Sequence, residues 1–238
     1  MRQSLIALGL LAVLAAGLWW RQQSPPPAIE HHEIFALGTL LQISVTEPLP
    51  EGLLGEIQES LSDFEQRWST QAEDGALATL NAALARRPAA DLPAVLRPGV
   101  LAARAACRSS QGLFDPGIGN LVRLWGFDDE SRFRSKPPAD AAIKFSLSVT
   151  HSLCQAEIGQ RRIRLGAAGT RLDFGGSAKG RAVAELIALL REQGVANAII
   201  NAGGDLQVIG RRPDRPWRIG IRHARPEPGR EGLASLEL

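Results

Sequence analysis

The sequence has no tyrosine, one methionine, two cysteines and four histidines. His31 and His32 are neighbours on a strand-like stretch and so point to opposite faces, and His151 and His223 have no acidic or cysteine neighbours at ligand spacing. The chain therefore offers no zinc site. Lysine is scarce too: Lys136, Lys144 and Lys179 stand among many arginines, carboxylates are spread throughout, and the formal net charge is +2. Without a basic tract, nucleic acid is excluded as a partner. Arg161, Arg162 and Arg164 read as the solvated face of a strand. The only long apolar run is at the amino terminus, and no cysteine follows it to serve as a lipid attachment site.

That run lies between Arg2 and Arg21 and carries no charge. As a helix it would be about 27 Å long at roughly 1.5 Å per residue, just under the ~30 Å hydrocarbon core of a bilayer. Trp19 and Trp20 beside Arg21 suit a membrane interface, whereas Ala15, Ala16 and Gly17 form a weak cleavage signal. Residues 1–23 thus read as an uncleaved anchor in the inner membrane with the rest of the chain facing the periplasm. The alternative is a cleaved signal that releases the chain into the periplasm. Residues 24–28 are a stiff, proline-rich spacer, and residues 29–238 form the folded part. Cys107, in an expected helix from Pro98 to Ser110, and Cys154, near an expected strand start, read as two buried thiols, or as a disulfide in an exported chain.

The stretch from Arg171 to Gly194 carries the clearest chemistry. Leu172 and Phe174 flank Asp173 with strand-like alternation, Gly175 and Gly176 break it, Ser177 is placed to cap, and a helix follows. A helix N-terminus with free N–H groups suits a phosphate, which Lys179 would meet as a point charge. Gly175 to Gly180 fits the start of a P-loop. Arg181 and Ala182, however, stand where that motif needs its lysine and hydroxyl. A second stretch, Gly112 to Gly119, fixes a tight loop around Asp115.

Elsewhere, Ile34–Thr46 reads as one strand through Gly38, Leu53–Trp68 and Ala76–Leu84 as helices, and Ser146–Gln155 as a strand. Asp128–Pro138 reads as a charged surface loop, and Asp205 as a residue that shapes a hairpin. Strand and helix periods alternate without regular βαβ repetition. This predicts an α+β fold of mixed sheets with helices Leu53–Trp68, Val100–Ser110 and Lys179–Gln193 packed against them, preceded by the N-terminal apolar helix.

Five ordered motifs then resemble one family. They are Leu37-Gly-Thr39, Trp68-Ser-Thr with Ala76 to Asn81, Phe114 to Phe127, Asp173 to Gly180, and Asn201-Ala-Gly-Gly-Asp205 with Trp217 to His223. The chain is similar to the ApbE family, FAD:protein FMN transferases that attach FMN through a phosphoester to a threonine or serine of a target protein. The resemblance implies FAD as substrate, Mg²⁺ as cofactor, AMP as product and an extracytoplasmic acceptor protein as partner. By position it makes Leu37, Gln71, Leu113, Phe114, Asp115, Asp173 and Lys179 flavin-nucleotide contacts. Lys179 is then also the catalytic cation, and Gly176, through its carbonyl, a metal ligand. Gln71 stands where the family has a tyrosine, and Gly117 where it has a threonine. The family's further segment, with an Asp and a Thr that complete the Mg²⁺ site, has no counterpart after His223, so 29–238 reads as a C-terminally truncated ApbE-like domain with an unpaired sheet edge. A non-catalytic FAD-binding protein, or an inactive truncated member of the family, is the alternative function.

Overall fold

The computed structural model describes residues 29–227 and 230–238. The expected anchor (1–23) and spacer (24–28) lie outside the described residues. No helix among the described residues is long and apolar enough to cross a membrane.

The stretch expected as one strand is a hairpin, β1 (Glu30–Ala36) and β2 (Thr39–Val45), paired antiparallel in register from Glu30 with Val45 to Ala36 with Thr39. Leu37 and Gly38 make the turn with φ of 56° and 65°. Two successive positive φ values give the turn the twist that joins antiparallel strands. The inward residues Leu41, Ile43 and Val45 of β2 are fully buried. Strands β6 (Ala198–Ala202) and β7 (Asp205–Ile209) complete a four-stranded antiparallel sheet in the order β1-β2-β6-β7.

Two helices cover one face of this sheet. Helix α1 (Leu53–Trp68) buries Leu53, Ile57, Leu61, Phe64 and Trp68, one stripe at helical spacing. The last helix, α6 (Gly175–Glu192), buries Ala182, Val183, Leu186, Ile187 and Leu190. Each such large apolar side chain contributes roughly 1.5–3 kcal/mol on burial. The sheet, the first half of α1 and most of α6 form one core. Phe64 and Trp68 of α1 and Ala182 of α6 belong to a second.

That second core is built from α2 (Ala76–Leu84), β3 (Ala89–Asp91), α3 (Arg97–Ser109), β5 (Arg162–Arg164), and the buried Leu153, Leu172 and Phe174. Strand β5 lies between β3 and β4 (Glu157–Ile158), again antiparallel. Among the described residues, the one parallel contact is an isolated bridge between Ile118 and Arg171. Helix α4 spans Gly119–Trp125. The arrangement is the expected α+β class.

The expected strand Ser146–Gln155 is instead the end of α5 (Asp140–Ser148), a loop, and a 3-10 turn at Leu153–Gln155. Its alternating hydroxyls close carbonyls: Ser148 Oγ donates to the Phe145 carbonyl and Thr150 Oγ1 to the Ser146 carbonyl. That backbone is satisfied locally and has no need of a sheet partner. Cys107 at the end of α3 and Cys154 in the 3-10 turn form a disulfide, not two free thiols. Strands β8 (Arg218–Glu227) and β9 (Arg230–Glu237) pair with each other and do not extend the four-stranded sheet, which leaves β7 at its edge.

Candidate functional site

Helix α6 begins at Gly175 itself, and the segment before it, Leu172 to Phe174, is irregular and not a strand. The N-cap position is Phe174, not Ser177, and Asp173 just before it accepts from the Gly175 N–H through its Oδ1 at 2.8 Å. The Ser177 hydroxyl lies inside the first turn and donates to the Phe174 carbonyl. The Ser177 and Ala178 N–H groups also donate to that carbonyl, which leaves the Gly176 N–H, among the described residues, without an acceptor. The helix start thus carries a carboxylate, one free N–H and, a turn later, Lys179. It is a narrower anion site than a bare helix N-terminus, because Asp173 already complements the dipole.

The two glycine-rich stretches meet through their backbones. The Asp173 N–H donates to the Pro116 carbonyl at 2.8 Å, and the Gly119 N–H to the Arg171 carbonyl at 3.0 Å. Gly117 fits this loop for a steric reason, since a Cβ there would lie 2.5 Å from the His151 carbonyl oxygen. The backbone in this chain has no room for the family's threonine at 117.

Beside the start of α6 is a cavity of about 950 Å³, walled by Leu37 and Gly38, by the end of α1 through Thr70 and Gln71, by Phe127 to Asp129, and by Asp173 to Lys179. Its volume lies at the upper end of the roughly 300–1,000 Å³ typical of small-molecule sites. Five expected residues, Leu37, Gln71, Asp173, Gly176 and Lys179, line it. The Leu37 N–H donates to Glu65 Oε1, and Gln71 Nε2 donates to the Asp128 carbonyl. Arg181 sits over the Trp68 ring at 4.8 Å, and Trp68 meets Phe174 edge-on at 5.0 Å, which forms an aromatic floor.

The other three expected residues are not in its wall. Leu113 is 93% exposed. Phe114 is half-buried against the second core, and its ring lies 3.6 Å from where a Cβ of Gly176 would stand. Asp115 is a loop lock: its Oδ1 accepts from the Gly117 N–H at 2.8 Å and the Leu153 N–H at 3.0 Å.

Three polar residues near the cavity were not singled out from the sequence. Glu65 lies in the last turns of α1, in the cavity wall. Asp128 opens a stretch that reads as solvated loop. Arg171 is half-buried and donates to the Thr70 carbonyl at 3.1 Å. Burial, and repulsion from Arg123, lower its hold on its proton, while the charges of Asp128 and Asp173 favour the guanidinium. Asp205, the first residue of β7, pairs with Ala202 and is outside the cavity wall.

A Mg²⁺ site is not built by these residues. The Gly176 carbonyl lies in the first turn of α6, where it faces the N–H four residues on. Among the described residues, the one group of three potential side-chain ligands with atoms within 4.8 Å of each other is Cys107, Asp115 and Cys154. Both sulfurs there are spent in the disulfide.

Residues 37–238 match the ApbE family. An FAD:protein FMN transferase of Rhodobacter capsulatus is 33% identical over 226 residues, which cover 91% of this chain and 41% of the relative. One from Klebsiella pneumoniae is 27% identical over 78% of this chain and 54% of its own length. The chain therefore spans about half the length of these curated relatives. Among solved structures, the apo form of the Pseudomonas stutzeri flavinyl transferase ApbE superposes with a TM-score of 0.72 at 27% identity, over 84% of this chain and 67% of that one.

Proposed function

The chain belongs to the ApbE family, and from that membership we propose that it is an FAD:protein FMN transferase that binds FAD in the cavity beside the start of α6. In the transfer, the hydroxyl oxygen of a target threonine or serine forms a bond to the FMN phosphorus. The P–O bond within the pyrophosphate breaks, AMP leaves with its electron pair, and the hydroxyl proton passes to solvent. The observation that carries this reading is the convergence of Leu37, Gln71, Asp173, Gly176 and Lys179 on one cavity of dinucleotide size.

Each of these groups has a task within it. Lys179 has no ion-pair partner among the described residues, so its ammonium is free to meet phosphate charge. The Gly176 N–H and the α6 dipole add to it at the same end. Trp68 and Phe174 keep the floor apolar for a flat ring, and the tied Leu37 turn closes one side. Preorganised charge of this kind supplies most of the catalysis in phosphoryl transfer. Phe114, on the neighbouring loop, lies against Gly176. The family brings Mg²⁺ with it. The described residues do not form its site, and that favours a second reading, a flavin-nucleotide-binding protein that does not itself transfer FMN.

The compartment is periplasmic in this proposal, with residues 1–23 as an inner-membrane anchor or, alternatively, a removed export signal. The Cys107–Cys154 disulfide supports it, because such bonds persist in oxidising compartments. The test is to incubate the full chain with FAD, Mg²⁺ and a threonine-bearing acceptor protein, and then to look for covalent flavin by in-gel fluorescence. Labelling of the acceptor is the expected result. Saturable FAD binding without labelling would leave the binding-protein reading in its place.

A further inference from the structure

Asn81 is a polar side chain set in an apolar core. It stands near the end of α2 at 3% exposure, beside the buried Leu77, Leu80 and Leu84 of the same helix. Burying an amide there is unfavourable unless the hydrogen bonds it gives up to water are replaced. A single residue 91 positions away replaces them. Asn81 Nδ2 donates to the Leu172 carbonyl at 2.8 Å, and Asn81 Oδ1 accepts from the Leu172 N–H at 2.8 Å. The pair of bonds also fixes which way the amide points, since a flipped side chain would set donor against donor and acceptor against acceptor.

Leu172 depends on this partner. It is fully buried, and it lies between the isolated bridge at Arg171 and the start of α6, where neither a strand nor a helix serves its backbone. Among the described residues, its N–H and its carbonyl are met by Asn81 alone. One side-chain amide thus does what a peptide of a neighbouring antiparallel strand would do, exchanging both hydrogen bonds with the same residue. The next residue is Asp173, whose N–H is held by the Pro116 carbonyl and whose Oδ1 accepts from the Gly175 N–H. Asp173 and the first turn of α6 are therefore placed from three sides: from α2 through Leu172, from the glycine-rich loop, and from the helix itself. Asp173, Gly175 and Gly176 line the cavity, whereas Asn81 does not.

We infer that Asn81 is a positioning residue for the cavity: its amide fixes the Leu172 backbone and, through it, the Asp173 carboxylate and the start of α6. The inference rests on the reading that FAD occupies the cavity, and deepens it by naming what holds Asp173 in place. Binding groups must be held to within roughly 0.5 Å by the hydrogen bonds behind them. A leucine at 81 would fill the same space in the core. It would leave the buried N–H and carbonyl of Leu172 without partners, and the segment would move to find others.

The experiment titrates the full chain with FAD, followed by quenching of flavin fluorescence, at about pH 5 and about pH 8. Wild type is set beside Asn81→Leu, Asn81→Asp and Leu80→Val, each checked for a cooperative thermal unfolding transition. Wild type at each pH carries whatever Arg171, Asp173 and FAD itself contribute. Asn81→Leu is expected to bind FAD roughly tenfold or more weakly than wild type at both pH values. A neutral carboxyl offers the same acceptor and donor as the amide, and burial favours the neutral form. Asn81→Asp at about pH 5 is therefore expected to lie within about threefold of wild type. Leu80→Val, which trims packing from the same helix and removes no hydrogen bond, is expected to do the same at both pH values. Wild-type affinity in Asn81→Leu overturns the inference, and so does an equal loss in Leu80→Val. Asn81→Asp as weak at about pH 5 as Asn81→Leu also overturns it, and a failure of Asn81→Asp to match wild type there decides the question alone if Asn81→Leu does not fold. Each of these results leaves the cavity reading standing. No saturable binding of FAD by wild type overturns that reading, and the role of Asn81 with it.

Discussion

The Leu37 N–H and the Glu65 carboxylate are joined by a 2.5 Å hydrogen bond that ties the β1–β2 turn to the last turns of α1. Leu37 sits at a φ of 56°, a region that costs a non-glycine residue roughly 1–2 kcal/mol, so the turn is held by its surroundings and not by its own preference. Glu65→Ala should therefore loosen one wall of the cavity and weaken FAD binding several-fold, whereas Glu65→Gln, which keeps an acceptor, should change it little. Parallel flavin-fluorescence titrations of the two variants check this.

The aromatic floor predicts a steric effect. A Cβ at Gly99 of α3 would run into the Trp68 indole, against which Arg181 is also stacked. Gly99→Ala should lower stability by about 1–3 kcal/mol through overpacking and shift the Trp68 environment. Thermal unfolding followed by tryptophan fluorescence measures both.

The disulfide closes a loop with a sequence separation of 47 residues and holds the 3-10 turn whose Leu153 N–H meets Asp115. Cys107→Ala with Cys154→Ala should lower unfolding stability by roughly 2–4 kcal/mol. Denaturant melts should place the variant with reduced wild type, and both below oxidised wild type. Equal stability of reduced and oxidised wild type would contradict the role given to this bond.

Asp129 has its carboxyl held below the ordinary value of 3.8, first by the Ser131 hydroxyl and then by Arg132. A carboxyl with a lowered folded value stabilises above its unfolded value, and the contribution is lost as pH falls through the folded one. Asp129→Asn should therefore differ from wild type in the order of the 129–132 turn near neutral pH, and converge with it only once the pH has fallen through the lowered folded value, which lies beneath the ordinary 3.8. Amide chemical shifts of Ser131 and Arg132 across an acid titration read this out.

Much of the fold is legible because apolar spacing reports burial directly. Leu53, Ile57, Leu61, Phe64 and Trp68 mark α1 to its end, and Ala76–Leu84 is a helix with the expected bounds. What is lost comes from residues whose role depends on distant partners. Nothing about Leu37 signals a positive φ, because Glu65 and the hairpin register impose it. Ser148 and Thr150 look like the outer face of a strand, yet they close helix carbonyls. Asp128 follows a surface-like pattern, and only the packing of the turn around it shows a buried carboxylate. The pairing of Cys107 with Cys154 likewise needs the approach of α3 to the 3-10 turn.

The same division holds in the site. Asp173 and Lys179 are placed by the local pattern of turn and helix, and they do line the cavity. Asp115 stands in an equally suggestive loop, but its oxygen is used by two backbone N–H groups. Sequence alone does not separate a carboxylate that binds from one that locks a loop.

The most direct measurement is an FAD titration of the full chain and of Asp173→Ala, Lys179→Ala and Asp205→Ala, followed by quenching of flavin fluorescence. Asp173 and Lys179 line the cavity, and Asp205, at the start of β7, does not. The expected result is saturable binding by wild type, a loss of roughly tenfold or more for Asp173→Ala and Lys179→Ala, the scale of one charge-assisted contact, and wild-type affinity for Asp205→Ala. Equal losses in all three variants, or no saturable binding by wild type, would contradict the assignment of this cavity as the FAD site.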